Sequence, residues 1–137
     1  MQVNSRPEPN SQRELKVLIV DDVDVHRFLL KNGLRKIHPA MTVDEAGSGA
    51  EAQSLLSSRR YDMVLCDWMM PDLSGDKLLG WMRETAGLRK LPFIMISGKK
   101  ANQDILQAFM ELNVDGYIIK PFTPRDVYEK MMAVLEA

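Results

Sequence analysis

Three uninterrupted apolar runs limit what this chain can fold into: Val17-Leu18-Ile19-Val20, Met63-Val64-Leu65-Cys66 and Phe93-Ile94-Met95-Ile96. Each has the length of a strand, and a strand apolar at every position is one buried on both faces, as in a parallel sheet. The middle run ends in Asp67, and Pro71 four residues on forbids simple continuation of the ladder. A carboxylate at the carboxyl end of a central parallel strand lies where open α/β sheets bind their ligands.

Helical periods separate the runs. After the first strand (Lys16 to Val20) and Asp21-Asp22, a helix is expected over about Val23 to Ile37, with Leu30, Leu34 and Ile37 on one face, closed by a turn at His38-Pro39. Met41 to Ala46 alternates as a strand nearer a sheet edge does. Ser48-Gly49-Ala50-Glu51 has the capping-box pattern and opens a helix with Ala52, Leu55 and Leu56 inward. Ser74 is the expected N-cap of a third helix reaching about Thr85, with Leu78, Leu79 and Met82 inward. Phe93 to Ser97 forms the fourth strand, and a fourth helix is expected over about Ala101 to Leu112 with Ile105, Phe109 and Leu112 inward. Asp115 to Lys120 is the fifth strand. Thr123-Pro124-Arg125-Asp126 starts the last helix, with Pro124 at N1, Asp126 placed to close a capping box, and Val127, Met131 and Val134 inward. Strands and helices alternate five times, which implies right-handed crossovers: an α/β fold whose five-stranded parallel sheet carries helices on both faces. The common five-strand solution is the flavodoxin-like order 2-1-3-4-5.

Composition narrows the functions. The 137 residues make one domain, and 18 Lys+Arg against 19 Asp+Glu give a net charge of -1, which offers no case for nucleic acid or an anionic membrane. The single cysteine, Cys66, forbids an internal disulfide and is expected to pack. No apolar stretch is long enough for a transmembrane helix. Met1 to Glu14 are polar, carry Pro7 and Pro9 and lack a signal peptide's apolar core. The reading is a flexible leader over residues 1–14, a folded domain over residues 15–137 and a cytoplasmic location.

In a parallel sheet all carboxyl ends share one edge. Asp21 and Asp22, Asp67, Ser97 and Lys120 can therefore converge. Three carboxylates brought together need compensation, which a hard divalent cation such as Mg²⁺ or the lysine can provide. No histidine or cysteine is placed for ester or amide hydrolysis. The set suits phosphoryl transfer, which needs alignment and neutralisation of oxygens, and a carboxylate can be the acceptor. Asp67, supported on both sides, is the candidate.

Asp21-Asp22, Asp67-Trp68-Met69-Met70-Pro71-Asp72-Leu73-Ser74-Gly75, Ser97-Gly98 and Tyr117-Ile118-Ile119-Lys120-Pro121-Phe122 together resemble the receiver domain of bacterial two-component response regulators. The style is that of single-domain, chemotaxis-type receivers, since no output domain follows the last helix. The resemblance covers about Leu15 to Ala137. It implies that Asp67 accepts a phosphoryl group from a phosphohistidine on a histidine kinase or phosphotransfer protein. It implies Mg²⁺ on Asp22, Asp67 and the Met69 backbone carbonyl, with Asp21 acting through water. Lys120 would pair with Asp67 or the phosphoryl oxygens, Ser97 would hydrogen-bond the phosphoryl group, Tyr117 would turn inward as a switch, and Lys120-Pro121 would be cis. The target would bind the face of the fourth helix, fifth strand and fifth helix, near Lys99, Lys100 and Tyr117. Such a protein is a signalling switch, catalysing only its own phosphorylation and slow autodephosphorylation. Ser97 stands for the commoner threonine, and Met69 for a frequent polar residue.

Other readings compete. Asp22-Val23-Asp24-Val25 after an apolar strand resembles the nucleophile motif of haloacid-dehalogenase-type phosphatases, with Asp22 as nucleophile and Asp24 as acid–base. Flavodoxin-like electron transfer would need a phosphate-cradling loop where Asp21-Asp22 would repel it. A receiver-like fold used only for binding would keep the same residues.

Overall fold

A computed structural model describes residues 13–98, 107, 111 and 113–137. The strands are β1 (Leu15–Val20), β2 (Met41–Ala46), β3 (Met63–Asp67), β4 (Phe93–Ser97) and β5 (Gly116–Ile119). They form one parallel sheet in the order β2-β1-β3-β4-β5. The expected order is therefore found. Among the described residues the continuous helices are α1 (Asp24–Ile37), α2 (Gly49–Ser58), α3 (Gly75–Glu84) and the C-terminal α4 (Pro124–Glu136). The helix expected over about Ala101 to Leu112, with its Ile105, Phe109 and Leu112 face, lies outside the described residues except for Gln107 and Glu111. Those two are helical and share a 3.1 Å hydrogen bond.

Strand alternation sorts the apolar runs into two cores. Val17, Ile19, Met63, Leu65, Ile94 and Ile96 face α1 and α4, where they meet Leu30, Leu34, Val127 and Met131. Leu18, Val20, Val64, Cys66, Phe93 and Met95 face α2 and α3, where they meet Ala52, Leu56, Leu78, Leu79 and Met82. Both faces are covered, so no polar residue is tolerated within the runs. Asp67 has the parity of Met63 and Leu65, which directs its carboxylate to the α1 side of the sheet.

Caps confirm most of the helix starts. Thr123 and Asp126 form the full capping box with Pro124 in the first turn. At α2 only half the box forms. The Ser48 hydroxyl accepts from the Glu51 N–H, but Glu51 reaches one residue further back and accepts from the Gly47 N–H at 2.6 Å. Asp72 takes the remaining donors, its two oxygens accepting from the N–H groups of Gly49 and Ala50 at 3.1 and 3.0 Å. These bonds hold its carboxyl below the usual range. Ser74 sits at the N-cap of α3 without a side-chain cap bond.

His38 departs from its reading as a simple turn residue. It caps α1 and is fully buried. Its Nε2 lies 2.6 Å from the Arg13 carbonyl, which can only accept, so Nε2 carries the proton. Nδ1 then accepts from the Tyr128 hydroxyl at 2.9 Å. One ring thus ties the start of β1 to α4. Tyr128→Phe strands a buried acceptor, and we expect a loss of about 1–3 kcal/mol, read as a fall of roughly 5 °C in Tm. An unchanged melting curve would show that the bond contributes nothing net.

Candidate functional site

β1 and β3 are hydrogen-bonded neighbours with Val20 in register with Cys66, so their next residues, Asp21 and Asp67, stand side by side at the sheet edge. Carboxylate oxygens of Asp21, Asp22 and Asp67 all lie within 4.8 Å of one another. Asp21 and Asp67 are each 7% exposed, whereas Asp22 is open to solvent. Lys120 follows β5, its N–H bonded to the Ser97 carbonyl at 2.8 Å, and its Nζ reaches to 3.7 Å from Asp67 Oδ2. The Lys120-Pro121 bond is cis, as expected. The Ser97 side chain is buried at the end of β4.

Burial pushes the Asp67 carboxyl above its ordinary range, against the opposing pull of Lys120. Asp21 adds to the upward push, the Met69 N–H donates to the carboxylate and lowers it, and Asp22 raises it slightly. A crowded, half-compensated carboxylate with an exposed acid beside it is a donor set that suits a hard divalent cation. The residues present therefore fit Mg²⁺.

The loop after β3 is tied at both ends. The Trp68 N–H donates to the Ile96 carbonyl at 2.8 Å, and the Gly75 N–H to the Trp68 carbonyl at 2.8 Å. Between them Met70 is buried and Met69 is 54% exposed. Asp72 fastens the middle of the loop to α2 through its two backbone bonds. Trp68 is half-buried beside the site, as expected. Tyr117 is the predicted site residue that stays outside the cluster: it is exposed on β5, level with Met95 and three residues before Lys120. Lys99 and Lys100 lie outside the described residues.

Two residues at the site were not legible as such. His26 Nδ1 is 3.4 Å from Asp21 Oδ2, while Asp21 Oδ1 accepts from the Val23 N–H at 2.9 Å. Arg27 donates to the Asp21 carbonyl, to Asp24 Oδ1 at 2.6 Å and to Glu45 Oε1 at 3.1 Å. The three-residue spacing of Asp24 and Arg27 on a helix was a readable signal for one of these bonds; the other two cross the fold. A cleft of about 540 Å³ opens beside the cluster, lined by Asp21, His26, Leu29, Lys120, Phe122 and Pro124 among others.

Residues 17–132 match the response regulator receiver domain. The chain belongs to the response regulator receiver family. Chemotaxis protein CheY of Pseudomonas aeruginosa is 35% identical over 122 residues, 89% of this chain and 97% of that protein. Chemotaxis protein CheY-3 of Vibrio cholerae is 36% identical over 124 residues, 90% of this chain and 94% of its own length. Among solved structures, a putative response regulator from Chloroflexus aurantiacus superposes with a TM-score of 0.82 at 26% identity, covering 91% of this chain and all of the other. Vibrio cholerae CheY4 does so at 0.81 and 24%, covering 89% and 99%, and shows the shared fold. A receiver domain is a signalling module, and receivers of this family bind Mg²⁺ through acidic residues such as those gathered here. No described helix is long and apolar enough to cross a membrane.

Proposed function

We propose that the chain is a phosphorylation-controlled switch in which Asp67 is the phosphoacceptor and Mg²⁺ is held by Asp22, Asp67 and the Met69 carbonyl, with Asp21 acting through water. The observation that carries this reading is Asp67 at the end of β3, 3.7 Å from Lys120 Nζ and clustered with Asp21 and Asp22. An Asp67 oxygen attacks phosphorus, the P–N bond to the donor imidazole breaks with its electron pair going to nitrogen, and an acyl phosphate forms. When bound, the cation would supply charge neutralisation of the phosphoryl oxygens. Lys120 donates to the same oxygens, and the Ser97 hydroxyl, one residue past the Ile96 that pairs with Asp67, is read as the group recruited to them. The indirect role of Asp21 is supported by its burial, with one oxygen on the Val23 N–H and the other facing His26.

The donor is read as a histidine kinase or phosphotransfer protein. Val25, Phe28 and Leu29 stand exposed on α1, Leu29 lining the cleft, and a protein donor can cover them. The output surface is read as the face of the expected fourth helix, β5 and the C-terminal α4, and Tyr117 and Ile119 are exposed on β5. The domain is assigned to residues 15–137, with a leader before it, in the cytoplasm. The pathway matched by the chemotaxis relatives is the favoured setting.

The phosphatase reading is disfavoured by Asp24. Its carboxylate is solvent-exposed and bound by Arg27 at 2.6 Å, which leaves it no acid–base role over Asp22. The deciding experiment adds Mg²⁺ and then a small phosphodonor, following the fluorescence of Trp68 and Trp81 and intact mass. One phosphoryl group is expected on the wild type and none on Asp67→Asn. Labelling that survives Asp67→Asn and disappears in Asp22→Asn would establish the phosphatase instead.

Met69 adds a kinetic expectation. In the receiver reading a polar side chain is frequent at this position, beside the attacking water, and here the residue is an exposed apolar one. Met69→Asn is expected to shorten the phosphoryl lifetime several-fold, measured as decay of the labelled protein after donor removal. Decay at the wild-type rate would refute it.

A further inference from the structure

Arg27 does more than its place on an amphipathic helix requires. Its side chain is only 13% exposed, although it lies one turn into α1 beside open solvent. Nη1 donates to the carbonyl of Asp21, Nη2 to Asp24 at the start of α1, and Nε to Glu45 on β2. Lys31 also reaches Glu45, at 3.5 Å, and holds that carboxylate from its other side. One planar group thus joins the end of β1, the first turn of α1 and the neighbouring strand. A guanidinium can do this because its donors leave in fixed directions within a plane; an ammonium cannot.

The carbonyl it holds belongs to the peptide between Asp21 and Asp22. That peptide is planar, so fixing its oxygen fixes the path of the chain into Asp22. Asp22 needs such help, since its side chain is exposed to solvent. Asp21 is held by its own carboxylate through Val23 and His26.

We infer that Arg27 is a positioning residue of the cation site, fixing the Asp21–Asp22 peptide, and with it the direction of the Asp22 carboxylate, before a cation arrives. The inference rests on reading Asp21, Asp22 and Asp67 as the Mg²⁺ site. It adds a residue that touches neither the cation nor the phosphoryl group.

Charge and geometry predict opposite signs. Arg27 is a positive charge near a cation site, so its removal should tighten Mg²⁺ by electrostatics alone. Loss of the fork should weaken Mg²⁺, and outer contacts of this kind are worth roughly tenfold or more in metal affinity. Arg27→Lys keeps the charge and loses the fork. Arg27→Gln loses both. The pair Arg27→Gln with Glu45→Gln loses the fork at unchanged net charge.

The test is a Mg²⁺ titration of the full chain followed by the fluorescence of its two tryptophans, Trp68 beside the site and Trp81 on α3, with a melting curve of each variant. We expect Arg27→Lys and the double variant to bind Mg²⁺ roughly tenfold more weakly, and Arg27→Gln more weakly than wild type by a smaller factor because its lost charge works the other way, all still melting cooperatively. Tighter binding in Arg27→Gln with no change in Arg27→Lys would reduce the residue to a charge and overturn the inference. Lower Tm values with unchanged Mg²⁺ affinity would reduce it to a structural tie, with the same result. Should the glutamine variants fail to fold, Arg27→Lys against wild type still decides. A wild type that gives no Mg²⁺ response removes the cation-site reading itself, and the inference falls with it.

Discussion

Asp67→Asn will take up no phosphoryl group, and at pH 7 without divalent cation it will melt above the wild type. The two effects have one origin. Burial raises the Asp67 carboxyl above its ordinary value of 3.8, so the native fold holds a charged group that it would rather protonate. Between 3.8 and the raised value the unfolded chain binds fewer protons than the native one. Stability therefore falls as pH rises through that window, and the whole penalty is present above it. Asparagine removes the charge, relieves the repulsion from Asp21 and Asp22, and loses the attraction of Lys120; burial is the largest of these influences. The gap between variant and wild type should be widest at neutral pH and close as pH falls toward 4. Saturating Mg²⁺ should narrow it too, because a ligand at a hundred times its Kd stabilises the wild type by about 2.7 kcal/mol. Melting curves of both proteins at two pH values, with EDTA and with Mg²⁺, check all of this. A variant that melts below the wild type at pH 7 in EDTA would mean that the Lys120 pair outweighs burial.

That destabilised carboxylate was legible in the sequence, and so was most of what surrounds it. Apolar runs of strand length closed by Asp21, Asp67 and Ser97 fixed a parallel sheet, and a parallel sheet places those ends on one edge. Thr123 and Asp126 announced their helix by spacing alone. The ties across the fold were not readable, because they follow no period. His38 looked like a turn residue since its partners, Tyr128 and the Arg13 carbonyl, come from opposite ends of the chain. Glu51 had the right spacing for a capping box, yet it bonds Gly47, with the Asp72 carboxylate bound to the next N–H groups of α2. Arg27 has one helical partner that spacing could suggest and two more that only tertiary structure supplies. Pattern locates the groups that do chemistry at strand ends. Orientation depends on contacts distant in sequence.

Gly75→Ala should be the most damaging single-atom change near the site. A methyl group at Gly75 would lie 2.6 Å from the Asp67 backbone carbonyl, 2.8 Å from Met95 Sδ and 3.1 Å from Trp68 Cα. The methionine can move; the two backbone atoms cannot move without carrying the acceptor loop with them. Gly75 also donates its N–H to the Trp68 carbonyl, so pushing the backbones apart stretches the bond that closes the loop. Overpacking of this kind costs roughly 2–3 kcal/mol, a fall in Tm of the order of 10 °C. The displaced backbone belongs to Asp67 and Trp68, so the carboxylate moves relative to Lys120 and Asp22. Displacements of about 1 Å at a reacting centre can cost on the order of a hundredfold in rate. Phosphoryl uptake in Gly75→Ala should fall by that order even well below its melting temperature, with the tryptophan fluorescence altered before any Mg²⁺ is added. Gly80→Ala, on the same helix with open space where its methyl group would go, is the control and should do neither. Wild-type uptake in Gly75→Ala would mean that Met95 and α3 absorb the methyl group, and that the close approach of α3 to the acceptor strand is not what holds Asp67 in place.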